Sequence, residues 1–169
     1  MNSLLVSSDN PSPGFTLIEL MVVIAVLAII ATVAVPSFQS VIESNRVTTQ
    51  ANNLLSAIQL TRSEAVKRGV GVSLSADSND FNEGWCVHTD TACSGTDVLR
   101  QFESTKGLTL TSADNTLGFS GRGERIPVTG GNIVIAVQPN SCVSGTVDRR
   151  REVTVTPAGR SFINRGDCP

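Results

Sequence analysis

The sequence predicts an α+β fold. A long amino-terminal helix, apolar in its first half and amphipathic in its second, is expected to pack on an antiparallel β-sheet carboxy-terminal domain. Three observations predict it. From Phe15 to Pro36, twenty-two residues carry a single charge, that of Glu19. After Gly69 the apolar period changes from about 3.6 to 2, the periods of helix and strand. The helical pattern precedes every strand pattern instead of alternating with them, which favours α+β over a parallel α/β sheet.

Residues 1–14 are rich in Ser, Asn and Pro and are read as a leader without stable structure. Residues 15–36 suffice to cross a bilayer as a helix, which needs about 20 residues at 1.5 Å each. Pro36 lacks an N–H and is expected to kink the helix. In residues 37–69 the stripe Val47, Ala51, Leu54, Ile58 and Ala65 recurs at helical spacing, with Glu43, Arg46, Arg62, Glu64, Lys67 and Arg68 off it. Cations followed by Gly69 read as a helix stop. The whole helix is then about 54 residues, or roughly 80 Å, long.

Residues 70–169 are expected to form the globular β domain. Val70, Val72 and Leu74 alternate with small polar residues and predict a strand. Asp77-Ser78-Asn79-Asp80 is a turn. Further strands are expected at 85–88, 98–102, 108–111, 117–119, 133–137, 152–156 and 161–163. The last two are split by Pro157-Ala158-Gly159.

Residues 15–20 carry a second message. A lone carboxylate in an apolar helix costs at least about 2.5–3.5 kcal/mol to insert in hydrocarbon, so Glu19 asks for a partner. An amino terminus created by cutting after Gly14 would supply one, at Phe15, four residues away. The run from Gly14-Phe15-Thr16-Leu17-Ile18-Glu19 to Pro36 resembles the amino-terminal signature of type IV prepilins and type II secretion pseudopilins. The resemblance implies cleavage after Gly14 by a prepilin peptidase, which then N-methylates Phe15. It implies that Glu19 pairs with the terminal amine of a neighbouring subunit, and that Pro36 belongs to the assembly helix. An uncleaved signal anchor is the simpler alternative.

Arg62-Ser63-Glu64-Ala65 and the late Pro157-Ala158-Gly159-Arg160 are similar to the FimU, FimT and GspH branch of minor pilins and pseudopilins. That branch implies a domain of two antiparallel sheets against the helix. The implied function is a minor type IV pilin acting in pilus assembly. A GspH-type pseudopilin of type II secretion and a FimT-like DNA-binding pilin are the alternatives. The implied partners are the prepilin peptidase/methylase, other pilins or pseudopilins, inner-membrane lipid and, in the third case, double-stranded DNA. The implied location is the bacterial inner membrane, with the globular domain periplasmic, and then a filament.

The chain has 169 residues and a net charge of −2, so bulk charge selects no polyanionic partner. About 130 residues remain beyond leader and anchor, enough for one domain with a core. Four cysteines, Cys86, Cys93, Cys142 and Cys168, all follow the anchor. An even number in an exported domain reads as disulfides. The preferred pairing is Cys86–Cys93, closing a short loop, with Cys142–Cys168 tying down the carboxy terminus; the crossed pairings stay open. The spacing of Cys86, His88 and Cys93 fits no common zinc pattern. No catalytic set, metal site or cofactor is expected, and the chain is not read as an enzyme.

One charge asymmetry stands out. From Arg122 onward there are seven arginines and four acids; from Phe15 to Gly121 there are six cations and ten acids. Arg149, Arg150 and Arg151, with Arg160 and Arg165, are the candidate DNA contacts, since arginine on phosphate gives salt-sensitive binding. Asp148 and Glu152 flank the run, and Phe162 alone could stack on a base. A solvated loop and strand edge is the plainer reading.

Overall fold

A computed structural model describes residues 14–90, 93–127 and 130–169, apart from the side chains of Val33, Val35, Pro36 and Ser37. The expected leader, residues 1–14, lies outside the described residues except for Gly14. One helix, α1, runs Leu17–Arg68. Its start is capped: Leu20 N–H donates to the Thr16 carbonyl, and Glu19 N–H to Thr16 Oγ1 at 3.2 Å. Thr16 with Glu19 three residues on is the Thr-x-x-Glu order that satisfies free amides at a helix start. The other end closes at Gly69, whose φ of +69° is easy only for glycine. Pro36 lies within α1, and its expected kink is a matter of residues whose side chains are outside the description.

The chain divides into two units, Met1–Ser40 and Val41–Pro169. In the first, the large apolar side chains from Phe15 to Ile30 are uncovered. Leu17 is 77 % exposed, Leu27 57 % and Ile29 69 %. Among the described residues no helix is long and apolar enough to cross a membrane. The sequence itself carries the apolar run on through Val33 to Val35.

Among the described residues the second unit holds nine strands: β1 Val72–Ala76, β2 Trp85–His88, β3 Val98–Phe102, β4 Leu108–Ser112, β5 Thr116–Phe119, β6 Arg125–Ile126, β7 Ile133–Pro139, β8 Arg150–Val155 and β9 Ser161–Gly166. They form two antiparallel sheets, ordered β3-β2-β1-β5-β6 and β4-β7-β8-β9. The strand β6 was not expected, because two residues are too few to show a period. The strand expected at 152–156 starts earlier, at Arg150, and the one at 161–163 runs on to Gly166. Their outer halves are polar, so apolar alternation understates their length.

The helical stripe and both sheets meet in one apolar cluster. Val47, Ala51, Leu54, Ile58 and Ala65 are all buried there with Leu74, Trp85, Phe119, Ile135 and Val153. Burying a side chain such as Leu54 or Ile58 contributes about 1.5–3 kcal/mol. Two polar residues widen the stripe. Buried Gln50 accepts from Thr105 Oγ1 at 2.6 Å, and buried Thr61 donates to the Ala57 carbonyl at 2.7 Å. Among the described residues, every core residue lies between Val47 and Cys168, within this unit.

Candidate functional site

The expected assembly site lies at the start of α1. Phe15 is 81 % exposed. The Glu19 backbone is held by Thr16, but its carboxylate has no hydrogen-bond or ion-pair partner among the described residues. Four residues make about one helical turn, so the carboxylate stands near the free positive end of the helix. This head carries a charge and a ring of apolar side chains, all uncovered. Such a surface needs lipid or other helices around it. The Thr16 cap was legible in the sequence as a Thr-x-x-Glu order.

Within the folded unit, Cys86 is joined to Cys93 and Cys142 to Cys168, with Cα separations of 5.5 and 5.6 Å. The second crosslink is reinforced by backbone pairing: Gly145 N–H donates to the Cys168 carbonyl, and Cys168 N–H to the Thr146 carbonyl. The 140–149 loop is also tied to the helix. Glu43 Oε2 accepts from Arg149 Nη2 at 2.6 Å and from Ser141 Oγ at 2.9 Å.

His88 is buried in β2. Its Nδ1 lies 2.8 Å from the Asp90 carbonyl, which can only accept, so Nδ1 carries a proton. Nε2 is hydrogen-bonded to Ser75 Oγ at 2.8 Å, and Ser75 pairs with Thr116 Oγ1 at 3.0 Å. The resulting chain of bonds crosses β2, β1 and β5 and satisfies polar groups inside the sheet.

The arginine run is largely offset. Arg149 pairs with Glu43, Arg150 with Glu152 at 3.2 Å, and Arg165 with Asp148 at 3.8 Å. Arg151 donates to the carbonyls of Asp148 and Arg150. Arg160 stands apart, its guanidinium 5.3 Å from the centre of the Phe162 ring. The five arginines therefore do not form one free cationic face.

The structure brings together two short stretches that are distant in sequence. Arg62 Nε, on α1, donates to the Gly123 carbonyl at 2.8 Å. Gly159, in the β8–β9 turn with φ +81°, lies against the same carbonyl, and a Cβ there would also meet Arg62 Nε and Phe119 at 3.3 Å. Arg62, Gly123 and Gly159 thus join the end of the helix to one turn from each sheet.

The comparisons bear on both units. A family model described as a prokaryotic N-terminal methylation motif matches residues 10–35. The type IV major alpha-pilin of Moraxella bovis is 38% identical over 74 residues, covering 44% of this chain and 46% of that protein. A fimbrial protein of Moraxella nonliquefaciens is 37% identical over 92 residues, covering 53% and 49%. The chain spans about half the length of the curated relatives it matches. The crystal structure of the type IV minor pilin FimU of Pseudomonas aeruginosa superposes with a TM-score of 0.60 at 25% identity, over 71% of this chain and 89% of that one. The minor pseudopilin EpsH from the type 2 secretion system of Vibrio cholerae shares the fold alone, with a TM-score of 0.54 at 16% identity over 71% and 97%. A second family model, described as type II transport protein GspH, matches residues 50–159. That match takes in most of the folded unit, and on it the chain belongs to the GspH family of pilin-type proteins.

Proposed function

We propose that the chain is a minor type IV pilin that enters a filament after cleavage behind Gly14 and N-methylation of Phe15. The observation that carries this reading is the uncovered apolar half-helix bearing one unpaired carboxylate, Glu19, ahead of a crosslinked domain. The apolar surface is at home in the inner membrane before assembly and among other such helices afterwards. Glu19 meets the terminal ammonium of a neighbouring subunit, and each charge lowers the penalty of burying the other. Ala25, Ala28, Ala31 and Ala34 are small enough to let helices approach closely. The role is structural and involves no catalysis.

The likeness to FimU in both fold and identity supports a pilus over a secretion system. The alternative, a pseudopilin of type II secretion, is supported by the GspH match and by the shared fold of EpsH. Deleting the gene separates them: loss of pili with intact export supports the first, loss of export with intact pili the second. Glu19→Ala in the full chain tests the assembly site. Cleavage, read as a mass shift, is expected to persist, while the subunit disappears from sheared filaments. Normal incorporation would remove Glu19 from this role.

A further inference from the structure

The neutralised arginine run draws attention to cations that lack partners. On α1, Gln59, Arg62, Ser63, Val66 and Lys67 form one exposed stripe, and Arg160 and Ser161 of the β8–β9 hairpin face it. Together they line an open groove of about 620 Å3. Among the described residues no carboxylate lies within ion-pair distance of Arg62 or Arg160. Lys67 reaches only Glu64, at 3.7 Å, and shares it with Arg68. Both guanidiniums are held in place, Arg62 by the Gly123 carbonyl and Arg160 over the Phe162 ring. A held guanidinium with free N–H groups suits a carboxylate, because little side-chain freedom remains to be lost on pairing.

Unpaired acids gather at the far end of β1. The groove lies near its start, since Phe119, which packs near Gly159 and Arg62, pairs with Val72. The strand then runs for about 17 Å, at 3.3 Å per residue, to Ala76 and the turn carrying Asp77, Asp80 and Glu83. None of these three acids has a cation within ion-pair distance among the described residues. The turn is fixed. Asp80 Oδ1 accepts from Asn82 N–H and Nδ2 at 2.9 and 2.7 Å, and Asn82 is bonded to the backbone of Leu110 at 2.8 and 3.1 Å. Ser78 and Asn79 sit in the left-handed region at φ 49° and 62°.

We infer that the groove formed by Arg62, Lys67 and Arg160 receives the acidic turn Asp77–Glu83 of a second copy of this chain. The two surfaces differ and lie at opposite ends of one strand. Their contact is therefore heterologous, head-to-tail, joining a groove to a turn and not a surface to itself. Complementary charge sets its orientation and makes it sensitive to salt. The inference extends the filament reading but stands on the surface of the folded unit alone.

A zero-length carbodiimide tests it, because this reagent joins an amine only to a carboxylate it already touches. The material is residues 41–169 with disulfides intact, the unit that holds every described core residue and both crosslinks, mixed as unlabelled and 15N-labelled copies. The expected products are mixed-isotope crosslinks from Lys67 to Asp77, Asp80 or Glu83. Their yield should fall at least tenfold in Arg160→Glu or in Asp80→Arg, and at 0.5 M salt, roughly twice the screening of physiological conditions. Combining labelled R160E with unlabelled D80R should restore the crosslink from the labelled groove to the unlabelled turn. That rescue also shows that the single variants remain folded. Absence of mixed-isotope crosslinks, equal crosslinking to Asp97, or indifference to R160E would overturn the inference. Each of those results leaves the Glu19 test of the filament reading untouched.

Discussion

Gly159→Ala probes the point where helix and sheets are joined. Gly159 has φ +81°, and a non-glycine residue in that region loses about 1–2 kcal/mol. The added methyl would also run into the Gly123 carbonyl, the acceptor of the 2.8 Å bond from Arg62. Backbone cannot yield as a side-chain tip does, and overpacking of this kind costs about 1–3 kcal/mol. The total is about 2–5 kcal/mol. Gly107→Ala is the control, since φ there is +85° and nothing lies within 4 Å of the new methyl. It should show the backbone part alone, about 1–2 kcal/mol. Urea denaturation of residues 41–169, with equal slopes for all variants, reads both. The two sites should also differ in coupling to Arg62→Ala: G159A has displaced the shared carbonyl, so removing Arg62 then matters less. Equal losses at Gly159 and Gly107 would refute the close approach.

Three other outcomes are expected. Replacing Cys142 and Cys168 by Ser should destabilise the unit by about 3.5 kcal/mol and replacing Cys86 and Cys93 by about 2.5 kcal/mol on loop length alone, since the separations are 26 and 7 residues; thermal melts in which neither pair matters would contradict this. Glu64 is held below the ordinary carboxylate range, first by its hydrogen bond from Arg68, against opposing desolvation and with further help from Lys67. Its contribution to stability is therefore present above the ordinary glutamate value and is lost as pH falls through its lowered one. Arg68→Ala should move the NMR-detected titration of Glu64 upward, and an unchanged midpoint would exclude the bond as its cause. Titrated with double-stranded DNA, the same unit should bind only weakly at low salt and not measurably at physiological salt, because three of the five candidate arginines are already paired with acids. Micromolar binding at physiological salt that disappears when Arg149, Arg150 and Arg151 become Ala would restore those residues as a DNA site.

Local features were readable in advance. The stripe from Val47 to Ala65 is buried throughout, because a helical face is set by spacing along the chain. Strands β2 and β3 have the expected bounds, since turn residues stand at both ends of each short run. The helix begins within two residues of the processing motif, where Thr16 supplies the cap. Features that depend on distant partners were not readable. Strands β4 and β5 are consecutive, yet they belong to different sheets, and nothing in their alternation says which face each will meet. Arg149 looked like part of a cationic run until folding placed Glu43 beside it, 106 residues away in the chain. Arg125, which nothing in its sequence neighbourhood marks out, is buried, with Nη2 donating to the Gly131 carbonyl at 2.8 Å.

The order of residues alone therefore specified the apolar half-helix with its single acid, the amphipathic stripe that follows it, and the α+β class. Each of these is a matter of composition and period over neighbouring residues, which survive without knowledge of distant contacts. Folding settled which charges remain free. Coulomb interactions act through space, so Arg149 of the conspicuous Arg149–Arg151 run is offset by Glu43 of α1, while Arg150 is offset by Glu152 two places along its own strand. Arg62 and Arg160, nearly a hundred positions apart in the sequence, line one groove with no carboxylate beside them among the described residues.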